Sequence, residues 1–166
     1  MNLIIIRHAV AISRETYAKT HSDDLARPLS KDGSRKFKQS LKSLRKILPS
    51  IDFIAYSPFT RTWQTAEIIR KAYKIKKHLA LRHLAPEEDY KKIIPWLKTN
   101  RRYQNIAIVG HEPGLNFLIS CLLTGEKKYF IELKKGGVCS LTIDKFKAGN
   151  ANLNWLLQPK QIRDLA

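Results

Sequence analysis

Four residues with the chemistry of a phosphate site follow apolar segments that are typical of buried strands. Arg7 and His8 come directly after the run LIII, His111 directly after NIAIVG, and Arg61 shortly after IDFIAY. In open α/β sheets, ligands bind beyond the carboxyl ends of the parallel strands. If these three strands are neighbours, we expect the four side chains to converge at one edge of a sheet.

Such a group of side chains would suit a phosphoryl group. Two guanidiniums supply forked donors that match phosphate oxygens, and a helix that begins near His111 adds backbone N–H groups and a positive dipole end. Two imidazoles beside two arginines resist double protonation, so at least one should be neutral and nucleophilic at about pH 7. The sequence contains no competing phosphate-binding loop or metal-ligand cluster. The chemistry predicted is metal-free phosphoryl transfer through a phosphohistidine.

Each of these residues alone has an ordinary structural interpretation. A histidine at a strand end, such as His8 or His111, is more often a packing or hydrogen-bonding residue. Arg61 alone would more often be a residue of a helix surface. Only their joint placement at the exits of separate strands favours a site.

The elements that position these residues alternate between strand and helix. Their alternation predicts an α/β fold, a three-layer α/β/α sandwich with a mostly parallel central sheet, to which the last two strands add an antiparallel edge. Residues 9–29 lack periodicity and are predicted to be a loop with at most a helical turn. The predicted strands are 2–6, 51–56, 78–81, 105–110, 137–143 and 151–157, and the predicted helices run from the N-cap Ser30 to Pro49, over 62–73, over 87–99 and onward from Pro113.

Two of these helices have apolar residues at helical spacing. The first helix places Phe37, Leu41, Leu44 and Leu48 on one face, and the second places Trp63, Ala66, Ile69 and Tyr73 on one side.

Length and composition indicate one globular domain over residues 1–166. The hydrophobic content is 43%, and no apolar run approaches the length of about 18 residues that a membrane span requires. Arg7 interrupts the first apolar run, which argues against a signal peptide. Cys121 and Cys139 lie within apolar patterns and are expected to be buried, reduced thiols. We therefore predict a cytoplasmic protein.

The formal net charge of +17 favours phosphorylated or polyanionic partners. The basic residues are spread over at least four segments, and in the first they surround an apolar stripe, as on a solvated helix face. A dedicated nucleic-acid function is therefore not expected. Weak, salt-sensitive binding to nucleic acid is expected. No association with membranes is predicted.

Four segments resemble the motifs of the histidine phosphatase superfamily, in particular its small SixA-type phosphohistidine phosphatases. In chain order they are LIIIRHA, DDLARPLSKDG, YSPFTRTWQTAE and VGHEPGL, and together the match extends over nearly the whole chain. The resemblance implies a phosphoglycerate mutase-like fold and a His8 nucleophile that becomes phosphorylated. It also implies that Arg7, Arg61 and His111 complete the phosphate pocket, and that no metal or organic cofactor is needed.

The sequence departs from the family pattern in two places. Ala9 stands where the strict first motif has glycine, although we expect a small residue to be tolerated there. The acid that protonates the leaving group in relatives is unmatched, because His83 occupies its position and Glu87, Glu88 and Asp89 follow. The three acidic residues also fit a solvated helix start. The general acid is therefore one of these four residues or none.

These observations predict a metal-independent histidine phosphatase that removes phosphoryl groups from the phosphohistidine of signalling proteins. A phosphoramidate nitrogen leaves readily once protonated, so the unmatched acid favours phosphohistidine over phosphate esters. Short connections also leave little room for a capping insertion over the pocket. The alternatives are a small-molecule phosphomonoesterase or mutase with the same pocket, or a phosphate-binding module without catalysis.

Overall fold

A six-stranded sheet forms the centre of the protein, as described by a computed structural model that covers residues 1–165. The strands are β1 (Asn2–Arg7), β2 (Phe53–Tyr56), β3 (Lys77–Ala80), β4 (Asn105–Gly110), β5 (Val138–Ile143) and β6 (Ala151–Leu157). Their spatial order is β3-β2-β4-β1-β5-β6. The first four strands in this order run parallel, and β5 and β6 add an antiparallel edge. This topology confirms the predicted fold class.

The sheet is covered by helices on both faces, which gives the predicted three layers. The helices are α1 (Arg14–Ala18), α2 (Lys31–Ile47), α3 (Thr60–Tyr73), α4 (Ile93–Thr99), α5 (Gly114–Thr124) and α6 (Pro159–Arg163). Strand β1 contacts both helical layers, because its side chains alternate between two apolar clusters. Ile4 and Ile6 belong to the cluster that includes residues of α2 and α3, and Leu3 and Ile5 belong to the cluster that includes residues of α4 and α5.

Hydrogen bonds join the N-terminus of α2 to the segment that follows β1. The Ser30 hydroxyl accepts a hydrogen bond from the Gly33 N–H at 2.9 Å, which confirms Ser30 as the N-cap. The Ser30 N–H donates to the Val10 carbonyl at 3.0 Å. A Cβ at position 33 would lie 2.1 Å from the same carbonyl oxygen, so only glycine permits this approach. These contacts hold the segment that follows His8 against the N-terminus of α2.

Three details of the predicted elements are wrong. The helix predicted over 87–99 begins only at Ile93, because Glu87 has a left-handed φ of 68° and Asp89 caps a 3-10 turn at Tyr90–Lys92. Trp63 is 46% exposed, although Ala66 and Ile69, which the spacing places on the same side of the helix, are buried. The short helix α6 was not predicted.

The remaining expectations on burial agree with the structure. The apolar stripe of α2 is buried throughout, and Cys121 and Cys139 are buried free thiols. No helix within residues 1–165 combines the length and apolarity needed to cross a membrane.

Candidate active site

The carboxyl ends of three adjacent strands bring the predicted residues together. In the sheet, β4 lies between β1 and β2, with Arg7 opposite Gly110 and Tyr56 opposite Val109. The His8 N–H continues this pairing beyond β1 and donates to the Gly110 carbonyl at 3.2 Å. The rings of His8 and His111 are therefore close, with centroids 5.2 Å apart.

His8 presents one ring nitrogen for chemistry. Its Nδ1 lies 2.7 Å from the Ala9 carbonyl oxygen, and since a carbonyl only accepts, Nδ1 carries the proton. Nε2 then keeps its lone pair. Burial is the main cause that lowers the pKa of His8 to about 3, and the charges of Arg61 and Arg7 act in the same direction. The imidazole is therefore neutral at physiological pH and has the form that a nucleophile needs.

His111 is held by the polar end of β2. Its Nε2 lies 2.9 Å from the Ser57 hydroxyl oxygen, and its ring packs edge-on against Phe59. Burial lowers the pKa of His111 to about 2, and the neighbouring His8 and Arg61 lower it in turn. Both histidines are thus neutral, as like charges at this distance require.

Arg61 enters the site from the first turn of α3 and is only 2% exposed. One of its terminal nitrogens donates to the backbone carbonyl of Asp24 at 2.9 Å, and the other lies 3.1 Å from the Asp24 carboxylate. The same carboxylate accepts a hydrogen bond from Arg27 Nε at 2.7 Å. Burial raises the pKa of Asp24, but the bond from Arg27 and the charges of Arg61 and Arg27 lower it overall, so the group is ionised. Asp24 is a positioning residue for two guanidiniums.

Arg7 is oriented from the other side of the site. One of its terminal nitrogens donates to the Leu133 carbonyl at 2.9 Å. The Nε groups of Arg7 and Arg61 are both buried, and neither has a hydrogen-bond partner within residues 1–165. Buried donors of this kind normally find a partner. A phosphoryl group could satisfy both of these donors beside the neutral His8 imidazole.

The substitution of alanine for glycine at position 9 is accommodated. Ala9 is 1% exposed and lies in the apolar cluster under α2 and α3, and its backbone is outside the left-handed region. Its N–H donates to the Thr65 hydroxyl at 3.1 Å. Neither the space nor the conformation at this position demands glycine.

Two of the three acidic residues that follow Pro86 make structural contacts. Glu88 accepts a hydrogen bond from Arg82 at 2.8 Å, and this bond is the main cause that lowers its pKa. His83 lies 3.8 Å from the same carboxylate. Asp89 accepts a hydrogen bond from the Lys91 N–H as a helix cap, and Glu87 is exposed. A carboxyl with a lowered pKa is a poor proton donor, so Glu88 is not suited to this role.

Glu112 has a raised pKa, in contrast to Glu88, and the sequence did not indicate it as a candidate acid. It directly follows His111, and its Oε2 accepts a hydrogen bond from the Asn116 N–H at 3.2 Å. Its Oε1 is buried without a partner among residues 1–165. Burial raises its pKa, against the smaller effects of the Asn116 bond and the Arg7 charge. A carboxyl that holds its proton closer to neutral pH can serve as an acid.

The sheet gathers this cluster of buried cations and two neutral histidines at its strand ends, which defines an α/β protein with a candidate phosphate site. The model of the histidine phosphatase superfamily (branch 1) matches residues 3–85, and the chain belongs to this superfamily. The predicted family and enzyme class are thereby confirmed. Within residues 1–165, no group of three or more His, Cys, Asp or Glu residues is arranged to hold a metal ion.

Similar proteins extend this likeness over most of the chain. The phosphohistidine phosphatase SixA of Escherichia coli K12 is 25% identical over 166 residues, which cover 98% of this chain and 97% of that protein. An uncharacterized protein of Picosynechococcus is 29% identical over 143 residues, which cover 85% of this chain and 84% of that protein.

Two solved structures have a closely similar fold. The structure of the protein histidine phosphatase SixA complexed with tungstate has a TM-score of 0.83 at 24% identity, covering 96% of this chain and 98% of that chain. The α-ribazole phosphatase of Shigella flexneri has a TM-score of 0.76 at 18% identity, covering 96% of this chain and 97% of that chain. The fold is thus common to phosphatases whose names differ in substrate.

Proposed function

We propose that the protein is a phosphohistidine phosphatase that acts on a protein-borne phosphohistidine, with His8 as the nucleophile. The observation that carries this proposal is the neutral His8 ring, with Nε2 free, beside the unsatisfied donors of Arg7 and Arg61. The likeness to Escherichia coli SixA along nearly the whole chain supports the choice of substrate. The buried free thiols Cys121 and Cys139 support a cytoplasmic location.

The reaction proceeds in two transfers at one phosphorus atom. His8 Nε2 forms a bond to phosphorus as the phosphorus–nitrogen bond of the substrate breaks, and the departing imidazole takes up a proton from solvent. Water then attacks the phosphorylated His8, the new phosphorus–nitrogen bond breaks, and inorganic phosphate leaves. Arg7 and Arg61 stabilise the charge on the phosphoryl oxygens in both transition states. His111 would orient one of these oxygens from the β4 side.

A substrate panel at moderate salt tests this function. We expect kcat/KM for a phosphohistidine protein to exceed that for common phosphate esters by at least about 100-fold, because the ester leaving group depends more on an acid. Phosphoramidate should be turned over faster than the esters for the same reason. Sugar phosphates or phosphoglycerate turned over faster than the phosphohistidine protein would instead identify a small-molecule phosphatase or mutase.

Glu112→Gln tests the source of the leaving-group proton. We propose that Glu112 donates this proton to poor leaving groups, so the variant should lose up to about 100-fold in ester hydrolysis and much less on phosphohistidine. The acid must be protonated to act, and its pKa is raised. Wild-type ester turnover should therefore fall as pH rises through that pKa, and the fall should vanish in Glu112→Gln.

The matched control for this experiment is Glu87→Gln, which neutralises an exposed carboxylate of the segment after Pro86. It should keep both the ester rate and its pH profile. An equal loss in Glu87→Gln, or an unchanged profile in Glu112→Gln, would contradict the assignment.

A further inference from the structure

A second basic surface lies directly beside the phosphate site. It is a cleft of about 500 Å³ between the end of β1, helix α2, the 132–137 loop and helix α6, and we name it the α6 cleft. Arg7 and Ala9, which flank His8, line its inner end. Its charged lining residues are the cations Arg7, Lys36, Lys134, Lys135, Lys160 and Arg163 and the single carboxylate Glu132.

Most of the positive charge in this cleft is not neutralised. Lys36 pairs with Asp32 at 2.8 Å. Within residues 1–165, no carboxylate lies within 4.0 Å of Lys134, Lys135, Lys160 or Arg163. Like charges that line one cleft repel each other, and an anionic ligand would relieve that repulsion.

The loop that carries two of these lysines is fixed to the nucleophile's own strand. The Gly136 N–H donates to the carbonyls of Arg7 and His8, both at 3.0 Å. Gly136 has a φ of 83°, a conformation that favours glycine. The Lys134 N–H donates to the Gln158 side chain at 2.9 Å, which ties the loop to the start of α6. The cleft therefore has a defined position relative to His8.

Lys135 marks the junction between the cleft and the phosphate site. Burial is the main cause that lowers its pKa, and the charges of Arg7, Arg27 and Arg61 lower it further. In turn, the Lys135 charge contributes to the lowered pKa of His8. A phosphoryl group bound at His8 would therefore lie within the electrostatic influence of this ammonium group.

We infer that the α6 cleft binds a carboxylate-rich segment of the protein substrate that flanks the phosphorylated histidine. This inference rests on the proposed function. The unpaired cations come from the loop and from α6, so they are spread along the cleft, and a second phosphate group would meet only a few of them. Carboxylates repeated along an extended chain, which advances about 3.3 Å per residue, could meet them in succession.

Two phosphohistidine peptides with the same length, one with aspartate and glutamate flanks and one with neutral flanks, test this inference. At low ionic strength we expect the wild-type protein to favour the acidic peptide by about tenfold in kcat/KM, mainly through KM. Lys160→Glu combined with Arg163→Glu should remove this preference. Higher salt should reduce it in the wild-type protein, because Lys134 and Lys160 are exposed and Arg163 is half-buried.

The control is Lys38→Glu combined with Lys42→Glu, two exposed positions of α2 outside the cleft that give the same change in net charge. This variant should keep most of the preference. If the α6 variant does not fold, as judged by its thermal transition, Lys134→Glu replaces it, since the fixed contact of Lys134 is made by its backbone.

Three outcomes would overturn the inference: equal kcat/KM for both peptides, preference for the neutral peptide, or equal loss of preference in the control and α6 variants. A failure of the proposed function is recognised separately, because neither phosphohistidine peptide would then be hydrolysed while an ester is. In that case the unphosphorylated acidic peptide is assayed as an inhibitor of ester hydrolysis. Inhibition that is weakened by Lys160→Glu with Arg163→Glu still supports the cleft, and absent inhibition rejects it.

Discussion

His8→Ala should reduce kcat/KM on a phosphohistidine protein by at least about 10⁴-fold, since removal of a covalent nucleophile is among the largest single losses an enzyme can show. The residual rate would come from binding alone, because Arg7 and Arg61 still hold the phosphoryl group. Rapid acid-free quenching should trap a phosphorylated wild-type enzyme that is labile in acid. The variant should show no such species.

A second histidine substitution controls for general effects on the protein. His21 is exposed and stacks on Tyr17, with ring centroids 4.3 Å apart. His21→Ala should keep the activity and the phosphoenzyme of the wild-type protein. An acid-labile phosphoenzyme in His8→Ala would place the nucleophile elsewhere, and undiminished phosphate release would reject the mechanism.

Arg61→Ala should reduce kcat/KM by roughly 10²–10³-fold, the loss that follows removal of one preorganised donor from a buried anion site. The variant removes the donor Nε and a positive charge, and it leaves Asp24 bonded to Arg27. Because the Asp24 side chain is 33% exposed, water can replace the lost partner and the protein should remain folded. Arg61→Lys should recover little, since an ammonium group cannot reproduce the planar set of donors.

The control for this experiment is Arg70→Ala on the same helix. Arg70 pairs with Glu67 at 2.6 Å, away from the site, so its loss should leave kcat/KM within about twofold, as is usual for a partly exposed ion pair. If Arg61→Ala is no worse than Arg70→Ala, Arg61 does not bind the transferred phosphoryl group.

The sequence was sufficient to place the residues that end strands. Arg7, His8 and His111 converge because β1 and β4 are parallel neighbours in register, and a buried strand fixes the direction of the residues that follow it. Both faces of β1 are covered, and the sequence shows this as a continuous apolar run, because Leu3, Ile4, Ile5 and Ile6 alternate between the two faces. These inferences depend only on local pattern and on the rule for parallel sheets.

Residues brought in by irregular segments could not be placed in this way. Asp24 lies in a stretch without periodicity and 37 positions before Arg61, so their pairing depends on the path of the chain in three dimensions. Lys135 depends on a loop held by glycine. Glu112 could have been noticed as the acid that directly follows His111, but the burial that raises its pKa is a tertiary property.

Under the proposed mechanism, the two unsatisfied Nε donors of Arg7 and Arg61 have a consequence for the end of each catalytic cycle. Inorganic phosphate presents the same oxygens as the phosphoryl group it came from, so it would meet the same buried donors and the same uncompensated charge. We therefore expect phosphate to leave slowly and to compete with the next substrate. A pocket that captures phosphoryl groups tightly would make the turnover rate respond to the phosphate concentration of the medium.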